Sequence, residues 1–368
     1  MVCSICEWLR VCRRSLLPSA SGGCGQAIAL HSAIVGLVSV FVAGWTGGCF
    51  AQDGLTQSRK VLSPIVALAV VPGGDVRLID AEVVFASQDG LHPASLKTGI
   101  ANPHDVEFSP DGHSLAACGG EPGQRGLVEI FDWPSDQQPI KPRQVLPVGD
   151  DSLYAASWSP NGTQLAVAGL DGAGRILDAS TGEERIRLSG HSRGLTGIEF
   201  LSAQRLVTSS LDGSMRVWDA ESGELLRTLA NHTGPVTAIC LGPEREPARL
   251  RMAASVGDDR TVRIWQPEIG RLVRFARLPS KPLAVTWLDR SPIAVSHDGL
   301  LAVACLDGRV RQVAVDTAAI LAEQSVLEGP AYCIATSRGE ETLILAGHRG
   351  QTRRVSLAEL LPGGGSEN

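Results

Sequence analysis

Residues 190–194 read Gly-His-Ser-Arg-Gly, the G-x-S-x-G pattern in which a serine on a sharp turn attacks an acyl carbon. That elbow needs a strand before Ser192 and a helix after it, whereas Thr196 to Phe200 reads as a strand. His191 and His232 are the residue type of a general base. Asp150-Asp151 is an acidic pair of the kind found around hard cations, but such sites draw on more oxygen ligands than two adjacent carboxylates supply. Cys3 and Cys6 have C-x-x-C spacing with no second ligand pair at zinc-site distance. H-E-x-x-H, P-loop and C-x-x-C-H patterns do not occur. No catalytic residue, metal site or cofactor is expected.

The elements around these residues explain them better. Thr208, Asp212 and Trp218 stand at relative positions 0, +4 and +10, and Ser255, Asp259 and Trp265 repeat that spacing. A histidine precedes each set, His191 and His232. Leu206-Val207-Thr208 is a short β-branched run, Leu211-Asp212-Gly213 is a hairpin signal, and Met215 and Val217 then alternate with Ser214 and Arg216. Asp171-Gly172, Asp212-Gly213, Asp258-Asp259 and Asp307-Gly308 recur at intervals of roughly forty to fifty residues. A second turn, Phe108 to Gly112 (FSPDG), returns as Trp158 to Gly162 (WSPNG), with Pro presetting φ and Asp or Asn then Gly accepting the reversal. The chain reads as all-β.

A unit of this length and content resembles the WD40 repeat, and the chain is similar to an exported, bacterial-type member of that family. The resemblance implies a seven-bladed β-propeller over residues 58–361. Its repeats begin near Ser63, Thr98, Gly149, His191, His232, Lys281 and Pro330. The last shows three strands, Ala331–Ala335, Thr342–Ala346 and Gln351–Leu357, and Ser58–Leu62 is a spare outer strand that would complete it. The resemblance further implies that His191, Thr208, Asp212 and Trp218, and likewise His232, Ser255, Asp259 and Trp265, form buried structural hydrogen-bond chains. Repeat three keeps Asp171 but has Val167 and Leu177 at the partner positions, and repeat six keeps Asp307 with Val303 and Val313.

Residues 1–51 are different material. Arg10, Arg13 and Arg14 precede an apolar run from Ala27 to Gly44, and Cys49-Phe50-Ala51 has the small residues of a secretory cleavage site. A signal peptide over 1–51, a linker over 52–57 and a flexible tail over 362–368 are expected, with secretion or periplasmic delivery as the consequence. An uncleaved leader would instead anchor the chain in an inner membrane through residues 27–44. Five of the nine cysteines precede the cleavage point; Cys118, Cys240, Cys305 and Cys333 lie in apolar strands, as buried free thiols or as one disulfide. Beyond residue 51 the chain carries 30 basic and 38 acidic residues, not the basic surface that nucleic acid requires.

What remains is a binding face. In the family the loop before the innermost strand and the turn carrying the Asp open on one narrower face. Aligned on Thr196 and Thr237, the early inner-strand positions are Val66, His104, Tyr154, Leu283 and Tyr332, which include both tyrosines of the chain. Leu170, Leu211 and Leu306 stand before the turn aspartates. Tyr154, Tyr332, Leu170, Leu211 and Leu306 are therefore the expected partner anchors, with His104 and Arg193 at the rim. The function implied is a monomeric, non-catalytic scaffold for other envelope or secreted proteins, touching membrane only if the leader is kept. The competing readings are a propeller enzyme or carbohydrate or small-ligand binder using the central channel, and a cytoplasmic scaffold that keeps residues 1–51. Of these, the channel binder would show convergent acids on the inner strands, and the aligned repeats display none.

Overall fold

The computed structural model describes residues 65–71, 74–79, 82–87, 94–133, 141–244, 250–288, 299–336 and 342–356. They form antiparallel sheets in chain order. The first holds β1 to β4 (Ile65–Val71, Gly74–Ile79, Glu82–Ser87, Ala94–Lys97), the second β5 to β8 (Pro103–Phe108, Ser114–Glu121, Arg125–Asp132, Gln144–Pro147). The third holds β9 to β12 (Leu153–Trp158, Gln164–Gly169, Ala173–Asp178, Glu184–Ser189), the fourth β13 to β16 (Leu195–Ser202, Arg205–Ser210, Met215–Asp219, Leu225–Leu229). The fifth holds β17 to β20 (Val236–Leu241, Ala253–Gly257, Thr261–Gln266, Arg271–Arg277), the sixth β21 to β24 (Pro282–Leu288, Leu300–Cys305, Arg309–Ala314, Ile320–Ser325). The last holds β25 to β27 (Ala331–Thr336, Thr342–Gly347, Thr352–Ser356).

The architecture is an all-β propeller. Six sheets are complete four-stranded blades, one fewer than the seven expected, and the last sheet has three strands. Residues 58–62, expected to complete it, lie outside the described residues, as do the leader over 1–51, its anchor run, the linker and the tail. Among the described residues no helix is long and apolar enough to cross a membrane. The first strand of each sheet packs beside the first strand of the next, and β25 packs beside β1.

The stacking of sheets face to face sets the sequence pattern. Second strands lie between two neighbours, so β14, β18, β22 and β26 are buried along nearly their whole length and read as apolar runs without alternation. Fourth strands sit on the perimeter and alternate or lie exposed, as in β12 and β20. The core is accordingly divided among the seams. One cluster joins blades three and four through Ile176, Leu188, Ile198 and Trp218; another joins five and six through Val262, Ile264, Trp287 and Val303. At the seam between the last sheet and the first, Cys333 and Ala346 are buried and Tyr332 and Leu68 pack against them.

Turns follow the recurring glycines. Gly172, Gly213 and Gly308 have φ of 81°, 82° and 73°, the left-handed conformation that follows the turn aspartate. In blade five that place falls to Arg260, with φ 59°. The aspartate of that turn is therefore Asp259, not Asp258.

Candidate functional site

Both expected tetrads are hydrogen-bonded chains. His191 lies with Nδ1 2.8 Å from Asp212 Oδ2 and Nε2 2.8 Å from Thr208 Oγ1, and the Trp218 indole N–H donates to the same hydroxyl at 2.8 Å. His232, Asp259, Ser255 and Trp265 repeat this at 2.9, 2.7 and 2.9 Å. One tautomer satisfies every group: the indole N–H donates to the hydroxyl, the hydroxyl to Nε2, and Nδ1–H to the carboxylate. Burial raises the Asp212 carboxyl, but hydrogen bonds from Ser214 and His191 overcome it and hold it at about 2. Burial lowers both imidazoles against the opposing effect of their aspartates, so they are neutral at physiological pH.

Ser255, His232 and Asp259 thus stand in the arrangement of a catalytic triad. What denies them that chemistry is access. Ser255 is fully buried, its oxygen already accepts the Trp265 N–H, and no reacting carbonyl can reach it. Ser192, the serine of the G-x-S-x-G pattern, is exposed in the connection to β13, and its N–H donates to Asp212 at 3.1 Å. Strand, not helix, follows it.

Blades three and six keep the aspartate without the histidine, and arginine takes its place. Arg311 donates to Asp307 at 2.7 and 3.2 Å and to Glu323 at 2.8 Å; Arg175 pairs with Asp171 and approaches Glu184 at 3.3 Å. Both arginines are almost wholly buried. The signal was in the sequence: Asp171, Asp212, Asp259 and Asp307 are each followed four residues later by arginine, at 175, 216, 263 and 311. Val167, Leu177, Val303 and Val313 fill the remaining tetrad positions as plain core.

The expected face has a regular construction. From the second sheet to the last, the turn after the second strand is tied back to the start of its own inner strand by one backbone bond. Leu170 N–H donates to Ser152 O, Leu211 N–H to Gly194 O and Leu306 N–H to Lys281 O, all at 2.9 Å. Gly120, Asp258 and His348 make the same bond to Asn102, Pro235 and Pro330. Two residues on, every inner strand carries a β-bulge, and the bulged residues are Val66, His104, Tyr154, Thr196, Thr237, Leu283 and Tyr332. These are the positions that repeat alignment singles out. A bulge re-aims its side chain, and here the aim is toward the next blade. His104 stacks on Tyr154, Thr196 donates to Val236 O at 2.8 Å, Thr237 donates to Pro282 O at 3.3 Å, and Tyr332 packs against the Cys333 and Ala346 cluster that Leu68 of the first sheet also meets.

So part of the expected anchor set is engaged in holding blades together. Tyr154, Tyr332, Leu170, Leu211 and His104 remain half-buried, Arg193 is exposed with one N–H on Leu211 O, and Leu306 is 47 % exposed.

Sequence reasoning missed the acids of the inner strands. Asp105 and Glu107 on β5 and Glu199 on β13 face the middle of the ring. Asp105 accepts the N–H of Ala156 at 3.0 Å and of Val106 at 2.9 Å, Glu107 that of Trp158 at 3.1 Å, and Glu199 the Ser157 hydroxyl at 3.3 Å. Burial raises Asp105 to about 6, its two backbone donors offsetting only part. Burial, then the charge of Asp105, raises Glu199 to about 7, with Arg251 and Ser157 opposing; Glu107 is raised by burial and by both neighbours. Glu107 and Glu199 share one repeat position, three residues past the bulge, but Ser157 stands there in the blade between them and Asp105 lies two residues earlier, so no single repeat displays the cluster. Among the described residues no group of three metal-ligating side chains assembles, and Cys118, Cys240, Cys305 and Cys333 are free thiols. The pair at 150 and 151 divides its roles: Asp151 caps the N–H of Gly123 at 2.7 Å and of Ser152 at 2.8 Å.

Comparison with known proteins agrees with the repeat structure. Residues 140–178, 182–219 and 223–266 match the family described as WD domain, G-beta repeat. Each match starts at or before a fourth strand and ends with the third strand of the next blade, so the sequence repeat straddles a seam. WD repeat-containing protein VIP3 of Arabidopsis thaliana is 28% identical over 146 residues, 37% of this chain and 46% of that protein. Protein tipD of Dictyostelium discoideum is 24% identical over 161 residues, 43% of this chain and 25% of that protein. The chain spans less than half the length of these relatives. It carries WD40 repeats.

Proposed function

We propose that this WD40-repeat propeller is an exported, monomeric, non-catalytic scaffold that binds other envelope or secreted proteins on the face where its turn leucines gather. The observation that carries the reading is the repeated turn-to-strand bond, which brings Leu170, Leu211 and Leu306 beside the inner-strand bulges on one rim. Rigid turns order little on binding, so apolar contact there is converted to affinity at small entropic cost. In this reading the last sheet is a seventh blade, completed by residues 58–62, and the leader over 1–51 directs export. The sealed tetrad hydroxyls of Thr208 and Ser255 support the non-catalytic role.

The acids at the ring centre favour a second reading, a small cationic ligand in the channel. Each acid, however, already accepts a donor from the neighbouring blade or from its own strand, which supports a seam role instead.

Affinity capture separates the two. Residues 52–368 and a Leu170→Ser, Leu211→Ser, Leu306→Ser variant are immobilised and exposed to an envelope extract, with bound proteins identified by mass spectrometry. A protein held by the parent and lost by the folded variant supports the scaffold. Equal capture by both removes this face from the proposal.

A further inference from the structure

Two perimeter strands of this propeller, β12 and β24, neutralise their own charges. On β12, Arg185 pairs with Asp178 and Arg187 lies 3.7 Å from Asp171; on β24, Glu323 takes both Arg309 and Arg311. β20, the outer strand of blade five, does not. Its sequence is Arg-Leu-Val-Arg-Phe-Ala-Arg, and among the described residues Arg271, Arg274 and Arg277 form no ion pair. Arg227, on the neighbouring outer strand β16, has none either, in a chain whose net charge is −6. Between Arg274 and Arg277 stands Phe275, 58 % exposed, and Ile269, 52 % exposed, precedes the strand. The Phe275 ring is fixed by the Arg263 guanidinium, whose carbon lies 5.3 Å from its centroid.

The backbone of this edge is open. Leu278 N–H donates to Arg260 O at 2.7 Å, so by the alternation of an antiparallel ladder the N–H and C=O groups of Phe275 and Arg277 point away from β19. The Val273 carbonyl is covered by the guanidinium of its neighbour Arg274, at 2.8 Å. Phe275 and Arg277 occupy one face of the strand and Arg274 the other, so positive charge flanks the edge on both sides.

We propose that β20 is a docking edge for an extended acidic segment of another protein, which adds to blade five as a fifth strand and sets its carboxylates against Arg271, Arg274 and Arg277. Main-chain hydrogen bonds would supply register, the flanking arginines charge-assisted contacts, and Phe275 an apolar seat for one side chain. An incoming carboxylate competes with the Val273 carbonyl for Arg274 and so uncovers the edge. A second copy of the same strand would oppose arginine to arginine, which excludes self-pairing. A flat anionic surface would meet only one side of the charge, whereas an added strand meets both.

The test uses the full chain and a fluorescent ten-residue peptide of alternating Glu and Val, read by anisotropy. Saturable binding that weakens with salt is expected, and an alternating Lys and Val peptide should not bind. Arg274→Glu with Arg277→Glu should weaken binding tenfold or more, and Arg274→Gln with Arg277→Gln should do so less, each with an unchanged melting temperature. The Leu170→Ser, Leu211→Ser, Leu306→Ser variant should bind normally, which separates this edge from the leucine face. Methylating alternate backbone nitrogens of the peptide leaves its charge intact and should abolish binding. Equal binding of the methylated peptide, or none by the parent peptide, overturns the proposal. So does arginine-dependent binding of phosphatidylserine vesicles without peptide binding.

Discussion

His104 and Tyr154, the bulge residues of successive inner strands, stack with ring centroids 4.3 Å apart and planes 24° apart, closing the seam between blades two and three. Burial lowers the imidazole to about 4. Its folded value thus lies below the unfolded value of about 6.5, so its stabilising share is complete above that and is lost as pH falls toward 4. His104→Phe keeps the stack and removes the titration. The melting temperature of this variant relative to the parent should therefore rise as pH falls from 7 to 4. A difference that does not change with pH would show that the imidazole is not held neutral by the fold.

The acids beside it run the other way. Glu199 is raised to about 7, so the folded state favours its protonated form; its stabilising share is complete below about 4.3 and disappears as pH rises through 7. Glu199→Gln should match the parent near pH 4 and exceed it at pH 8 by on the order of 1 kcal/mol, a value reduced from the full shift because the side chain is partly accessible. Thermal unfolding at both pH values decides it. An equal loss at both would mean that Glu199 is ionised and well paired.

Thr208 is the centre of its tetrad, and Thr208→Val strands two buried partners at once, the Trp218 N–H and His191 Nε2. A loss of about 2–4 kcal/mol is expected. Ser255→Ala should cost a comparable amount in blade five. A fluorophosphonate probe should label neither Ser192 nor Ser255 in the folded chain. Labelling that disappears in Ser255→Ala would make the buried triad an active site and remove the non-catalytic reading.

How much was legible follows from how local each signal is. The tetrads were readable because hairpin geometry fixes their spacing within one repeat. The bulge ring was readable for the same reason, through alignment on Thr196 and Thr237. What Tyr154 and His104 do there was not, since the stack joins residues fifty positions apart in different blades. Asp105, Glu107 and Glu199 likewise converge only once β5, β9 and β13 stand side by side, and no single-repeat pattern encodes that. The charge state of β20 was hidden in composition, because a net value of −6 averages over an edge that is wholly basic.

Removing residues 58–62 along with the leader tests completion of the last sheet. If they supply its fourth strand, a chain starting at 63 should melt several degrees lower than one starting at 52, because the last sheet would lose its outer pairing. An unchanged melting temperature rules that completion out.

Arg311 offers the sharpest contrast with the histidine blades. Its guanidinium is buried and bonds Asp307 and Glu323 together; Arg311→Leu would take the shared cation from both, leaving Asp307 to solvent and Glu323 to Arg309. Breaking a fully buried pair from one side costs about 3–5 kcal/mol; with both carboxylates open to solvent the loss here is discounted to about 1–3 kcal/mol, whereas removing both charges is close to neutral. Arg311→Leu alone should therefore destabilise measurably, and adding Asp307→Asn with Glu323→Gln should recover much of the loss. Recovery is expected because Val303 and Val313 already make this blade's interior apolar, with no hydroxyl or indole left waiting for a partner. The same rescue should fail in blade four, where removing Asp212 leaves the His191 Nδ1–H and the Ser192 N–H without an acceptor. Equal rescue in both blades would show that arginine and histidine are interchangeable caps for the turn aspartate.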